Sequence, residues 1–447
     1  MTNKIRVASL TNGMGMGGTA REIITINKYL NKEFFSHFVI SMGPKNDSMS
    51  KFIDSSKIFF ISDPKEISRM LEENDINVLY AHRHGRNEPA YDAVAKEISS
   101  RVALLEMNTF SAKDNGYFDR RCDKHVFVSL TNLVKYCIQN SLKFDFKKHK
   151  TVYGLVDAGN WQENRPSEAE KKEYKAKLGL EGSFVIGRVA RPVMAKWDDE
   201  MLVMWKRLSK MNPKIKFLIY GVPEERKKLL LAAGAPENLI MLETTSSDKE
   251  LGLFYSVIDV FVHDSQIGEC ACSTIAEAMM FKKPVVVKST PFPRFVLGRS
   301  HTRDNGQIEQ IKNGANGFVV AGGAAMAEAV NYLYNHQEEA ARMGEKNHRD
   351  ILEKYDAKIG IKTFEKVFIE SVLDKKIDVP SDILAYYRSN NFFPEEDGIR
   401  GWFKEYYRRL EDIYGKEYPD SILEKSMLYY LICKRKAETL LKKIVKI

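Results

Sequence analysis

The chain has 447 residues, 44% hydrophobic and 29% charged; this mixture excludes wholesale disorder, and the length exceeds the ~100–200 residues of one ordinary domain. Lys and Arg number 69 against 60 Asp and Glu, a formal +9, which suits an anionic ligand or surface without demanding nucleic acid. No apolar run approaches the ~18–20 residues of a membrane helix, and the first residues lack a signal-peptide core. The five cysteines are scattered and form no disulfide framework, so the expected setting is cytoplasmic. Cys270 and Cys272 have no second Cys/His pair near them in sequence, so no zinc site is expected.

Residues 5–10 are a short apolar run rich in β-formers, followed by a glycine-rich turn at 12–18 and a helical pattern over 19–30. Strand-like runs recur at 38–42, 78–81, 102–105 and 126–129. Helix-like segments lie at 64–73 and 88–100, and an amphipathic stretch runs to Leu142. Short continuous apolar strands alternating with amphipathic segments predict a parallel sheet covered by helices. After a charged stretch at 162–177 a second set begins, with strands at 184–189, 217–220, 239–242, 257–262, 284–287 and 318–320. A helix is predicted over 200–211 and others lie between the later strands. Beyond Glu328 the pattern is helical, punctuated by Pro380, Pro394 and Pro419.

The predicted architecture is α/β: two Rossmann-like doubly wound domains facing a cleft, with a C-terminal helical extension. The boundaries are placed at 1–165, 166–355 and 356–447, the first helix of the extension crossing back to the N-terminal domain. The last stretch, from Leu423, carries Lys434, Arg435, Lys436, Lys442, Lys443 and Lys446 beside Leu440, Leu441, Ile444 and Val445. A basic amphipathic helix of this kind can make peripheral contact with an anionic membrane. The commoner reading is a packed surface helix with a solvated basic face.

Gly13, Gly15 and Gly18 have the spacing of a dinucleotide fingerprint between a strand and a helix. Backbone amides there can approach a phosphate or a carbohydrate hydroxyl; a tight turn with close packing is the plainer explanation, better suited to Gly13 than to the whole run. An NAD-dependent oxidoreductase needs a carboxylate ending the second strand. Here Ser41, Met42 and Gly43 stand there, which disfavours that reading.

The second half carries more chemistry. Glu269 and Glu277 are separated by seven residues, after a predicted strand and polar turn and at the start of a predicted helix. Two carboxylates so placed can grip two sets of hydroxyls on one ligand. Arg191 and Lys196 follow the strand at 184–189, a natural position for diphosphate ligands. Taken singly, either pair is read as ordinary surface charge, and an isolated Glu-x7-Glu is read so easily. His82 at a strand end is as well read as structural; His263 is read as pocket wall and Trp197 as packing.

Together these motifs resemble the nucleotide-sugar-dependent retaining glycosyltransferases of the GT-B fold, family 4 or group 1, over most of residues 5–370. The run from Gly13 to Arg21 is similar to that family's glycine loop, and Val78 to His82 to its strand ending in a site histidine. Val152 to Asp157, Arg191 with Lys196, Phe217 to Gly221, Glu269 to Glu277, and Asn313 to Phe318 resemble the later motifs in order. Departures are Ala271 and Cys272 in place of Phe-Gly, a lysine before Pro284, and an insertion at 291–310.

The resemblance implies a retaining glycosyltransferase acting on a UDP- or GDP-linked sugar and a hydroxyl of a glycan or lipid-linked acceptor. It implies that Arg191 and Lys196 bind the diphosphate and that Glu277 holds the ribose. Glu269, with the helix start at Cys272, Ser273 and Thr274, would hold the transferred sugar. Gly17, Gly18 and Gly221 would let ligand approach the backbone, and His82 would contact sugar or share the acid–base work. Asn108, Thr109 and 111–117 are the acceptor-side candidates. No Asp-x-Asp occurs, so neither a metal nor another cofactor is expected. The rivals are a non-catalytic nucleotide- or carbohydrate-binding protein and, less favoured, the NAD-dependent enzyme.

Overall fold

The computed structural model describes residues 4–389, apart from 16, 84, 86–87, 141 and 291–303. The basic tail and the last part of the predicted extension lie outside the described residues. Two compact units are present. The first takes the chain up to Asp157 and again from Tyr355; the second is Ala158–Lys354.

The first unit is built on seven strands: β1 (Ile5–Thr11), β2 (Phe35–Ser41), β3 (Ile58–Phe60), β4 (Val78–Arg83), β5 (Ala103–Asn108), β6 (Lys124–Phe127) and β7 (His149–Thr151). They pair in parallel in the order β3-β2-β1-β4-β5-β6-β7. Val7, Ala8, Leu10, Val78, Leu79 and Ala81 are wholly buried. Helices cover both faces of such a sheet, so the strands read as unbroken apolar runs rather than alternating ones. The helix Pro64–Glu73 starts where Asp63 accepts hydrogen bonds from the Lys65 and Glu66 amides, with proline in its first turn.

The chain returns to this unit in the helix Ala357–Asp374. Phe364 and Phe368 from that helix set their rings edge-on to Tyr80, both at 5.7 Å. Glu370 pairs with Lys150 of β7 at 2.6 Å, and Asp374 pairs with Lys124 of β6.

The second unit carries β8 (Phe184–Val189), β9 (Ile215–Tyr220), β10 (Leu239–Leu242), β11 (Val260–His263), β12 (Gly268–Glu269), β13 (Val285–Lys288), β14 (Asp304–Asn305) and β15 (Gly317–Val320). Six pair in parallel as β10-β9-β8-β11-β13-β15, and β12 pairs with β14. Trp197, Trp205, Met201, Phe217 and Val260 are among the wholly buried core. The unit begins at Ala158 rather than near 165 because the helix Ala158–Glu163 belongs to it: Trp161 packs on Tyr255 and Phe281 at 6.0 and 5.7 Å.

The strand order of each sheet reverses once. In the first, successive strands run outward on either side of the β1/β4 pair; in the second, on either side of β8/β11. Ligands of doubly wound sheets bind beyond the carboxyl ends of the strands at such a switch point. The glycine loop and His82 follow or end β1 and β4. Arg191, Lys196, His263 and Glu269 follow or end β8 and β11. Among the described residues no helix is long and apolar enough to cross a membrane.

Candidate active site

At the switch point of the second unit, the Lys196 ammonium donates to both Glu269 carboxylate oxygens at 2.9 Å. His263, the last residue of β11, donates from Nε2 to Glu269 Oε1 at 2.9 Å. A carboxylate only accepts, so His263 carries its proton on Nε2 and turns the Nδ1 lone pair to Arg188 Nη1 at 3.3 Å. Arg188 is wholly buried, stacked 4.3 Å from the centre of the Trp197 ring and 3.1 Å from Asp264 Oδ1. It also donates to the backbone oxygens of Lys196 and Asp264. The loops after β8 and β11 are thus tied together by one buried guanidinium.

The charges follow from this geometry. Burial alone would raise Glu269, but the Lys196 charge and the His263 hydrogen bond outweigh it and hold the carboxyl down to about 2. Burial alone would lower Lys196; Glu269 overcomes it and keeps the ammonium charged. Burial keeps His263 below the usual histidine range despite Glu269, so the ring is neutral. Burial pushes Asp264 up to about 6, against the pull of Arg188.

Glu277 lies in the helix Ser273–Met280 and is buried, accepting from the Tyr255 hydroxyl at 2.7 Å. Cys272 precedes that helix and provides no side-chain cap. Its sulfur lies 3.7 Å from His263 Nε2 and 3.3 Å from Thr274 Oγ1. Ser273 is exposed and Thr274 half-buried, so the first turn of the helix is open, with a partial positive charge at its end. Gly221 has its own structural reason: φ is +75°, and a Cβ would stand 1.9 Å from the Ala190 oxygen. Arg191 is exposed, and its guanidinium makes no hydrogen bond or ion pair among the described residues.

The first unit places His82 inside its sheet rather than at its surface, with 2% of the side chain exposed. A proton-ordered chain runs through it. His37 Nδ1 faces Asn27 Oδ1 at 3.2 Å, so His37 Nε2 accepts from Ser9 Oγ at 2.9 Å. Ser9 in turn accepts from His82 Nε2 at 3.4 Å. Burial lowers both His37 and His82 to about 3. Glu22 Oε1 lies 3.8 Å from His82 Nδ1, and burial raises Glu22 to about 8 against the pull of Tyr80. Gly13 is packed, since a Cβ there would come 2.9 Å from Asp47 Oδ2. At Gly15, Gly17 and Gly18 a Cβ would meet nothing within 4 Å, so packing does not explain those glycines. Asn108 is buried and grips its own loop, donating to the Ala112 oxygen at 2.6 Å.

Arg188, Asp264 and the bonded role of His263 were missed from the sequence. Arg188 sits three residues before Arg191 and is chemically identical to it; only burial tells them apart. The 264–268 loop folds His263 back beside Cys272, a single histidine rather than a second Cys/His pair. His263, Glu269 and Cys272 bring ligand-capable atoms within 4.8 Å of one another, as do Glu106, Cys122 and His125. In the first trio Lys196 already neutralises the carboxylate, and burial pushes the Cys272 thiol up to about 12. In the second, Arg83 and His125 both neutralise Glu106.

The fold is thus of the class with two parallel, doubly wound α/β units, with a Lys–Glu–His triangle at the switch point of the second. Residues 170–350 match the family described as glycosyl transferases group 1. Residues 170–350 are thus similar to the group 1 glycosyl transferases, the family whose motif order the chain resembles. The capsular polysaccharide biosynthesis glycosyltransferase CapM of Staphylococcus aureus is 24% identical over 228 residues, 49% of this chain and 54% of that protein. The poly(ribitol-phosphate) alpha-N-acetylglucosaminyltransferase of Staphylococcus aureus (strain COL) is 24% identical over 372 residues, 81% of this chain and 62% of that protein. The chain therefore spans a little over half the length of these curated relatives. A glycosyltransferase structure from Rickettsia africae ESF-5 superposes with a TM-score of 0.68 at 17% identity, covering 83% of this chain and 99% of the other. Anabaena HepE, solved with UDP-glucose, gives 0.65 at 14% identity, covering 83% and 100%.

Proposed function

We propose that the protein transfers a sugar from a nucleotide-diphosphate sugar to a hydroxyl of a glycan or lipid-linked acceptor, with retention at the anomeric carbon. The observation that carries this reading is the Lys196–Glu269–His263 triangle at the switch point of a group 1 domain. The names of the relatives support it: one acts in capsular polysaccharide biosynthesis, another on poly(ribitol-phosphate).

In this reading the donor diphosphate competes with Glu269 for Lys196 and draws on the exposed Arg191. Both cations offset charge as it grows on the leaving group, and fixed charges do this best because they need no reorganisation. A metal is not required for that charge balance. Glu269, held ionised, accepts from the sugar hydroxyls beside the open helix start at Cys272, Ser273 and Thr274. Glu277 takes the ribose hydroxyls, and Gly221 leaves the base side clear. The glycosidic carbon passes through an oxocarbenium-like state, and the departing phosphate takes the acceptor's proton. Gly17 and Gly18, whose faces are open, admit the ligand in the first unit. His82, neutral at pH 7 and buried, bonds Ser9 behind that loop and neither meets the ligand nor carries its proton.

The test is nucleoside diphosphate release from a panel of UDP- and GDP-linked sugars with a polyol or glycan acceptor. Lys196→Ala and Glu277→Ala should each lower kcat/KM by ~10²–10³ with the fold retained by circular dichroism. Equal turnover by wild type and both variants would remove the proposed roles, and binding without turnover would favour the non-catalytic rival.

A further inference from the structure

The last residues of the insertion, 304–310, form a clamp on the loop that presents Glu269. The Gln310 side chain bonds Cys272 twice: the Cys272 amide donates to Oε1 at 3.3 Å, and Nε2 donates to the Cys272 oxygen at 3.1 Å. Gly306 donates its amide to the Glu269 oxygen at 2.6 Å. The approach is so close that a Cβ on Gly306 would stand 1.8 Å from the Cys270 oxygen. Gly268 and Glu269 pair with Asp304 and Asn305 as a two-residue parallel ladder.

The clamp is itself anchored to the main sheet. Asn305 bonds both backbone groups of Thr290, at 2.7 and 2.5 Å, just past β13. Gln307 donates to the Lys288 oxygen at 2.8 Å, and Asn316 to the Gln310 oxygen at 2.9 Å. Gln310, Asn305 and Gln307 are all buried.

Physical necessity explains the amides. Cys272 lies beyond the end of β12 and ahead of its helix, so neither element pairs its backbone N–H, while its oxygen takes only the Ala276 amide of the first helical turn, at 3.2 Å. Buried backbone groups left unpaired are costly. A carboxamide offers one donor and one acceptor, the pair that a neighbouring strand would supply. Gln310 therefore gives the Cys272 amide its acceptor and adds a second donor to the oxygen that Ala276 already bonds. The rest of the helix is held independently: Ile275, Ala276, Ala278 and Met279 are buried, and Glu277 is fixed by Tyr255.

We infer that Gln310 is a positioning residue for the sugar end of the donor site, acting through the backbone of 269–272; this rests on the reading of Glu269 given above. The same bond withdraws the Cys272 amide from any ligand. A sugar hydroxyl there meets the Glu269 carboxylate and the amides of the following residues instead. Losing Gln310 loosens the sugar end and leaves the nucleotide end, on Glu277, in place.

The test uses Gln310→Met, close in volume but unable to make either bond, and Gln310→Glu, which keeps only the acceptor. Each is titrated by calorimetry with the panel sugar nucleotide that wild type turns over fastest and with its nucleoside diphosphate. A small misplacement of positioning groups costs up to ~10² in rate. Gln310→Met should therefore weaken the sugar nucleotide about tenfold and lower kcat about 10- to 100-fold, with the nucleoside diphosphate affinity within about twofold. Gln310→Glu should fall between, and it carries the test if the Met variant does not fold. Unchanged affinities and rates, or equal weakening of both ligands, overturn the inference. Lys196→Ala, run alongside, separates the two layers: wild type and Lys196→Ala alike in releasing no nucleoside diphosphate overturn the underlying reading instead.

Discussion

Lys196 and Glu269 illustrate how a charge is kept in a protein wall. Each ion alone would be driven neutral by burial, and together they stay ionised. Removing one partner of a buried pair costs ~3–5 kcal/mol because the other is left uncompensated. Lys196→Met should therefore lower urea-unfolding stability at pH 7 by about 3 kcal/mol. Adding Glu269→Gln in the same chain should recover most of it while leaving turnover absent. The pH dependence has a definite sign. Glu269 is depressed from 4.5 to about 2 in the fold, so its contribution is complete above pH ~4.5 and is lost as pH falls toward 2. Glu22 runs the other way. Its folded value is raised from 4.5 to about 8, so between those values the unfolded chain releases a proton that the fold retains. Stability therefore falls as pH rises through that window. Glu22→Gln, which mimics the protonated carboxyl, should raise Tm by several degrees at pH 8 and leave it unchanged at pH 4.5. A gain equal at both values would contradict the assignment.

At the scale of elements, the apolar core strands were legible because burial on both faces leaves no polar positions to blur them. β8 and the helix Glu200–Met211 fall where the residue pattern puts them. β3 and β7 were not legible. Each has three residues, and β7 reads His149, Lys150, Thr151, a polar run that becomes a strand only by lying against β6. The site divides in the same way. Residue types and spacing pointed to Lys196 and Glu269, which the fold joins directly. Spacing could not show that Arg188 turns inward while Arg191 points out, nor that His263 meets Glu269 through a loop turning at Gly268, where φ is +71°. It also could not show that the glutamine ending the insertion grips Cys272. These are consequences of burial and loop closure, which no local pattern encodes. The returning helix Ala357–Asp374 yields a further test. Phe368 packs on Tyr80 and Phe35, and truncating a buried phenylalanine costs ~3–5 kcal/mol. Phe368→Ala should lower Tm, with hydrogen exchange rising in β1 and β4 and unchanged in β8 and β11. Uniform acceleration in both sheets would contradict the assignment of that helix to the first unit.

Across the molecule, two sheets of the same winding carry different chemistry at their switch points. The first offers a neutral, proton-ordered chain of Ser9, His37 and His82 beside a loop with open glycines. The second offers fixed charge: a paired Lys and Glu, an exposed Arg, and a helix start. The first is buried and uncharged; the second is the one whose fixed charge suits a diphosphate. The net +9 favours approach of an anionic donor. The most direct measurement is the thermal shift of wild type and Lys196→Ala with UDP, GDP, UDP-glucose, GDP-mannose and NAD. A ligand at about 100 times its Kd stabilises by about 2.7 kcal/mol. Wild type should shift upward with either the UDP or the GDP pair and not with NAD, and Lys196→Ala should lose most of that shift. A shift with NAD alone, or a nucleotide shift of the same size in both proteins, would contradict a nucleotide-sugar site built on Lys196.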